Sequence, residues 1–198
     1  TGGAGTGKSY VIKCLFDFLA EEDVSIGKTA TTGVAALNIG GSTIHAWTGI
    51  GLGDDTIEKL IEKVVHNKKA RDRIARSKIL FIDEISMASG NLLDKVNSIF
   101  KYVRNKPAVP FGGIQLVCTG DFLQLPPVFK RIDEDTFAFQ SSSWKESKFQ
   151  VVELKKLIRQ DSSSKFAESL NLIRIGDISK LDIFDERITT PIDFLLFL

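Results

Sequence analysis

The feature that most restricts this chain is its opening run, GGAGTGKS (Gly2–Ser9), a full match to GxxxxGK[ST]. Glycines at this spacing permit backbone conformations that turn several N–H groups inward, which makes an anion nest at a helix N-terminus. Gly2, Gly3, Ala4, Gly5, Thr6 and Gly7 supply that cradle. Lys8 has the length to meet β- and γ-phosphates, and the Ser9 hydroxyl suits Mg²⁺. A glycine-rich turn that merely starts a helix is the plainer alternative. A complete match that opens an amphipathic segment argues against it. A phosphate loop of this kind hangs from the end of a core strand, so the run commits the chain to α/β architecture.

The pattern downstream agrees. KSYVIKCLFDFLAEED sets Val11, Ile12, Leu15, Phe16 and Leu19 at helical spacing. VSIGKTATTG predicts a buried strand ending in Gly33, and VAALNIGG a short helix stopped by glycines. Residues 54–76 predict a charged, solvated helical stretch. SKILFIDE is a second buried strand, apolar without interruption from Ile79 to Ile82, as expected of a parallel sheet covered on both faces. NLLDKVNSIFKYVRN predicts an amphipathic helix, GGIQLVCTGD a third strand, and LPPV an extended turn. KFQVVEL is a further strand candidate, and SSSKFAESLNLIRIG a capped helix with Gly176 just past its end. Strands alternating with helices predict a doubly wound, mostly parallel sheet with helices on both faces.

Two further motifs carry chemistry. In ILFIDE, Asp83 stands at the tip of an apolar strand, where a carboxylate can hold Mg²⁺ through water. Glu84 follows, placed to take a proton from an attacking water. An acid pair after a strand is by itself usually a solvated loop. Together with the opening loop it predicts an ATP- or GTP-hydrolysing site. CTGDFLQLPPV then ends another strand with Gly120, Asp121 and Gln124, and the Gln124 amide can donate to a γ-phosphate or orient water. Alone, that segment is an ordinary strand-to-loop turn.

Composition removes other classes. The net charge of +1 excludes a chain basic throughout, so any nucleic-acid contact comes from a local patch. Cys14 and Cys118 lack CxxC spacing, and with His45 and His66 the only histidines a structural zinc site is not expected. The cysteines are expected to be reduced, partly buried thiols. No apolar run reaches the ~18 residues of a membrane span. The expected setting is intracellular: nucleus or mitochondrion in a eukaryote, cytoplasm otherwise.

GGAGTGKS, FIDEISM (Phe81–Met87), TGDFLQLPPV (Thr119–Val128) and LIRQ (Leu157–Gln160), in that order, resemble the petite-integration-frequency (PIF) family of superfamily 1 DNA helicases. The stretch TATTGVAALNIGGSTIHAWTGIGLG (Thr29–Gly53) is similar to that family's segment between the two nucleotide motifs. The resemblance covers roughly residues 1–180. It implies a RecA-like P-loop motor of two domains that hydrolyses ATP with Mg²⁺ in the cleft between them. Such a motor steps 5′-to-3′ along single-stranded DNA and opens forked duplexes, in repair, recombination or telomere maintenance. Asp83 and Ser9 then hold the metal, Glu84 activates water, and Gln124 senses the γ-phosphate. Arg159 of LIRQ is by resemblance an arginine finger; among LKKLIRQ it is otherwise an exposed arginine of the usual kind. Ile158 departs from the family's usual aromatic, and Thr31 from its usual proline or serine.

DNA contacts are expected from Thr31, Thr32 and Gly33 at a strand end, where hydroxyls and N–H groups suit a phosphate backbone. Thr43, His45 and Trp47 lie in a loop that either touches DNA or packs beneath itself. The expected organisation is a first motor domain over 1–148, with 48–76 as a small insertion, and the start of a second over 149–198. The strand that would carry the loop is expected upstream of Thr1, and 187–198 match nothing in the family. The 198 residues alone are predicted to bind nucleotide poorly and to unwind nothing. The alternatives are a conjugative or RecD-like translocase and a P-loop switch that moves no DNA. Protein partners are not indicated.

Overall fold

The computed structural model describes residues 1–3, 5–128, 136–156, 158, 169 and 172–177. Four strands, β1 (Ile26–Ala30), β2 (Ser42–Thr43), β3 (Ile79–Asp83) and β4 (Gln115–Cys118), pair in the order β2-β1-β3-β4. Every pairing is parallel. The register sets Ala30 beside both Thr43 and Asp83, and Ile82 beside Cys118. All four carboxyl ends therefore meet on one rim.

Side chains alternate across a strand, which explains the unbroken apolar run in β3. Phe81 joins one buried cluster with Ile12 and Phe16 of α1 (Lys8–Glu21) and Ala35 and Ala36 of α2 (Gly33–Asn38). Phe16 meets Phe81 edge-on, with ring centroids 4.7 Å apart. Leu80 and Ile82 join a larger cluster on the opposite face. It is built by α3 (Ile44–Thr48), α4 (Ile57–His66), α5 (Lys68–Arg76) and α6 (Gly90–Val103). Each large side chain fully buried there contributes roughly 1.5–3 kcal/mol. Trp47 belongs to this core at 7% exposure, and Gly27 is what admits it. A Cβ on Gly27 would fall 2.7 Å from the indole Cζ2 and 2.6 Å from Leu80 Cδ1.

Three local expectations are corrected. Residues 54–76 form two helices, α4 and α5, broken at Asn67, whose side chain caps α5 by accepting the Ala70 N–H. Neither is wholly solvated: Leu60, Val64, Ala70 and Ile74 are fully buried. Arg73, expected on a solvated face, donates to the Trp47 and Ala46 carbonyls. Residues 149–153 pair with no strand among the described residues. Cys14 is exposed. The burial of the Cys118 thiol pushes its pKa up to about 12.

Between α6 and the end of the sheet region, Asp94 Oδ1 accepts from the Ser143 N–H and from the Ser142 and Ser143 hydroxyls. It thereby caps α7 (Ser142–Ser147) from a distant helix. The chain groups into two compact units, Thr1–Gly2 with Lys8–Glu153, and Gly3–Gly7 with Leu154–Leu198. Within the second, the Ile158 N–H donates to the Gly5 carbonyl at 2.9 Å. The predicted helix end at Gly176 is present. Gly176 is left-handed at φ 83°, and the Asp177 and Gly176 N–H groups close back on the Leu172 and Ile173 carbonyls.

Candidate active site

The phosphate loop has the conformation its glycines allow. Gly5 and Gly7 take φ of 77° and 92°, values that L side chains rarely adopt. The Thr6 hydroxyl donates to the Gly3 carbonyl at 2.9 Å and ties the loop to itself. Ala4 and Arg159 lie outside the described residues. Lys8 opens α1, and its ammonium donates to the Gly2 carbonyl at 2.8 Å. Ser9 follows in the first turn, exposed.

Asp83 is 4% exposed at the end of β3. Its Oδ1 accepts from the Thr119 hydroxyl at 2.5 Å and from the Glu84 N–H at 3.0 Å. No ion pair holds this carboxylate among the described residues. Glu84 is half-buried. Burial pushes its carboxyl above the usual glutamate range, and the Asp83 and Asp121 charges add to the rise while Lys8 opposes it. Lys8, Asp83, Glu84 and Asp121 thus share one electrostatic neighbourhood. A raised pKa brings a carboxylate closer to the basicity that proton abstraction needs.

Asp121 is 2% exposed and organises the turn after β4. Its Oδ1 accepts the Leu123 N–H at 3.1 Å, and its Oδ2 accepts from the Gln124 amide at 3.0 Å. Gln124 itself is exposed, held at the rim by this anchor. β4 and the acid turn are also stitched through the backbone, with Ile85 N–H donating to the Thr119 carbonyl at 2.9 Å. Gly120 packs so close to that turn that a Cβ would lie 3.1 Å from Ile85 N and 3.2 Å from Ser86 N.

On the other side of β3, Thr31 follows the last residue of β1. Its N–H donates to the Asp83 carbonyl at 3.1 Å and its hydroxyl to the Glu84 carbonyl at 2.9 Å. Thr32 and Thr43 serve as helix caps, accepting the Ala35 and Ala46 N–H groups. Capping uses an oxygen lone pair and leaves each hydroxyl hydrogen to donate elsewhere. Gly33 is exposed, and His45 is half-buried in α3. Trp47 packs against Phe100 at 6.0 Å between centroids, so of the loop's two alternatives it takes packing.

The structure therefore gathers Lys8, Asp83, Glu84 and Gln124 with Thr31 at the carboxyl ends of parallel strands, where open α/β sheets bind ligands. Two participants lie inside quoted motifs, Thr119 in TGDFLQLPPV and Ser86 in FIDEISM, yet the motifs assign them no role. Thr119 is visible only once parallel pairing sets the residue after Cys118 beside Asp83. Ser86 has the one buried side-chain oxygen without a hydrogen-bond partner among the described residues. No group of three or more His, Cys, Asp and Glu among those residues is placed to ligate a metal. A lone carboxylate beside a hydroxyl is instead the donor set of a cation that takes its remaining ligands from phosphate and water.

The family model described as PIF1-like helicase matches residues 1–183. The chain is 45% identical over 188 residues to the ATP-dependent DNA helicase PIF1 of Candida albicans, covering 90% of this chain and 21% of that one. The crystal structure of Pif1 helicase from Candida albicans superposes with a TM-score of 0.88 at 44% identity, over 96% of this chain and 43% of that one. A Pif1 helicase from Bacteroides, solved in complex with ADP-AlF3 and single-stranded DNA, matches with a TM-score of 0.73 at 31% identity. That match covers 93% of this chain and 43% of the other. The chain spans about a quarter of the length of the curated relatives it matches.

Proposed function

From a chain that belongs to the PIF1-like helicase family, with the RecA-like P-loop fold, we propose the nucleotide-hydrolysing part of an ATP-dependent DNA helicase. The observation that carries the proposal is the buried Asp83 carboxylate at the end of β3, held by the Thr119 hydroxyl and the Glu84 N–H, with Gln124 anchored on Asp121 at the same strand ends. It is supported by two named relatives, a DNA helicase and a Pif1 solved with a nucleotide analogue and single-stranded DNA.

In this reading residues 1–148 belong to the first motor domain and 149–198 enter the second. The backbone of Gly2, Gly3, Ala4, Gly5, Thr6 and Gly7 cradles the phosphates of ATP, and Lys8 neutralises them. Ser9 and Asp83 are the residues that would hold Mg²⁺, a hard cation that neutralises phosphate charge when bound. The buried Asp83 carboxylate, with two donors on Oδ1, fits that role. Glu84 takes the proton of the attacking water, its basicity raised by burial. Gln124, steadied by Asp121, and Arg159 sense the γ-phosphate. Thr32, Gly33, Thr43 and His45 line the rim on which single-stranded DNA lies, its backbone met by small hydroxyls and N–H groups, while Thr31, expected there from the sequence, turns its N–H and hydroxyl to the Asp83 and Glu84 carbonyls. The whole protein moves 5′-to-3′ and opens forked DNA in repair, recombination or telomere maintenance.

The experiment is ATP hydrolysis by the full-length protein with and without single-stranded DNA. Wild type is expected to be stimulated by the DNA. Glu84→Gln is expected to lose at least about a hundredfold in rate, the scale of one general base, while retaining nucleotide binding. An unchanged rate in Glu84→Gln overturns the assignment. A wild-type rate indifferent to DNA turns the reading toward a nucleotide switch.

A further inference from the structure

Glu84 stands in the left-handed region, at φ 54° and ψ 43°. A side chain with a Cβ rarely rests there, at a cost of about 1 kcal/mol or more. Its surroundings must therefore impose the conformation. Hydrogen bonds on both flanking peptides do so. The Glu84 N–H is held by the Asp83 carboxylate at 3.0 Å. The Glu84 carbonyl accepts the Met87 N–H of its own turn at 3.0 Å and, from outside that turn, the Thr31 hydroxyl at 2.9 Å. The Asp83 bond belongs to the nucleotide side of the rim. The Thr31 bond reaches over from just past β1, fifty-three residues away in sequence.

The position of Thr31 gives this bond its meaning. Its own N–H is fixed to the Asp83 carbonyl. The next residue, Thr32, caps α2 and begins the segment read above as a DNA rim. A threonine whose hydroxyl points at DNA would leave the Glu84 carbonyl without this donor. Here the hydroxyl is spent on the acid turn. A displacement of the Thr32–Gly33 segment acts on the peptides either side of Glu84 through Thr31, whose N–H holds one carbonyl and whose hydroxyl holds the next, and the direction of the Glu84 carboxylate follows those peptides.

We infer that Thr31 is a positioning residue, not a DNA contact. Its hydroxyl couples occupancy of the Thr32–Gly33 rim by single-stranded DNA to the aim of the Glu84 carboxylate, and so carries DNA stimulation of ATP hydrolysis. The inference rests on the helicase reading above and deepens it. It assigns to the Thr31–Glu84 bond the link that makes hydrolysis answer to the DNA strand.

The test titrates single-stranded DNA into ATP hydrolysis by the full-length protein, comparing wild type, Thr31→Val and Thr31→Ser. Valine keeps the shape and the strand preference of threonine but lacks the hydroxyl, and serine keeps the hydroxyl. For Thr31→Val the maximal rate at saturating DNA is expected to fall about tenfold, the scale of one hydrogen bond. The DNA concentration giving half-maximal stimulation is expected to stay within about twofold. Thr31→Ser is expected to recover most of the maximal rate. Three results overturn the inference. A half-maximal concentration that rises with the maximum recovered makes Thr31 a DNA contact. Basal and stimulated rates that fall in equal proportion with a lower melting temperature make the bond structural only. A Thr31→Val protein that matches wild type leaves the bond without a role. A wild-type protein that DNA does not stimulate defeats the helicase reading itself, and that control is independent of either variant.

Discussion

Ser86 is 2% exposed, and its hydroxyl lacks a partner among the described residues. A buried hydroxyl in that state costs the fold the desolvation it has not recovered. Ser86→Ala is expected to stabilise the protein by about 1 kcal/mol, read as a rise in melting temperature of roughly 2–4 °C. A drop in melting temperature would show that the oxygen is satisfied after all. Residues of this kind mark the limit of what the sequence displays. Lys8, Asp83 and Glu84 announce themselves because their chemistry needs a fixed spacing from glycines and apolar strands. Thr119, Ser86 and the inward turn of the Thr31 hydroxyl do not. Each depends on which strand lies beside which, and a threonine at a strand end has the same letters whether it faces solvent or a neighbouring carbonyl.

At the scale of elements, β1, β3 and β4 were legible as short apolar runs bounded by turn residues, and α6 by its 3.6-residue period; the two-residue β2 was not, because Ser42–Thr43 lies in a stretch that reads as a loop. The split of α4 from α5 was not. Charged residues dominate 54–76, and the four buried positions Leu60, Val64, Ala70 and Ile74 fall into phase only when Asn67 is recognised as a cap. The α6–α7 pairing is equally hidden. Its ion pair joins Lys101 and Glu146 at 2.8 Å across forty-five residues. Lys101, by its hydrogen bond first, holds the Glu146 carboxyl below the usual glutamate range. A depressed folded pKa contributes stability above the unfolded pKa, and that stability is lost as pH falls through the folded value. Lys101→Met is therefore expected to be slightly less stable than wild type at pH 7. The gap should close as pH drops below the ordinary glutamate range, and it should shrink in high salt. A gap that persists in acid would assign the loss to packing of the lysine stem.

For the whole molecule, the two cysteines offer a reading of how the sheet opens. Cys14 is exposed on α1, while the Cys118 thiol on β4 has its pKa pushed up to about 12. Near neutrality the thiolate is the reactive form, so native protein is expected to take up one equivalent of maleimide quickly. The second should follow only at the rate at which the β3–β4 pairing unfolds. Two fast equivalents would mean that β4 frays independently of the core. The doubly wound arrangement itself was legible from strand–helix alternation, but the order β2-β1-β3-β4 was not, since no local pattern records lateral neighbours. That order has a reach of its own. Three inter-strand intervals separate the threonine that ends β2 from the one that follows β4, on the order of 14 Å. No side chain bridges such a width. In the proposed reading, a DNA strand at one border would therefore be felt by Gln124 at the other through contacts handed along, peptide to peptide, by the two inner strands.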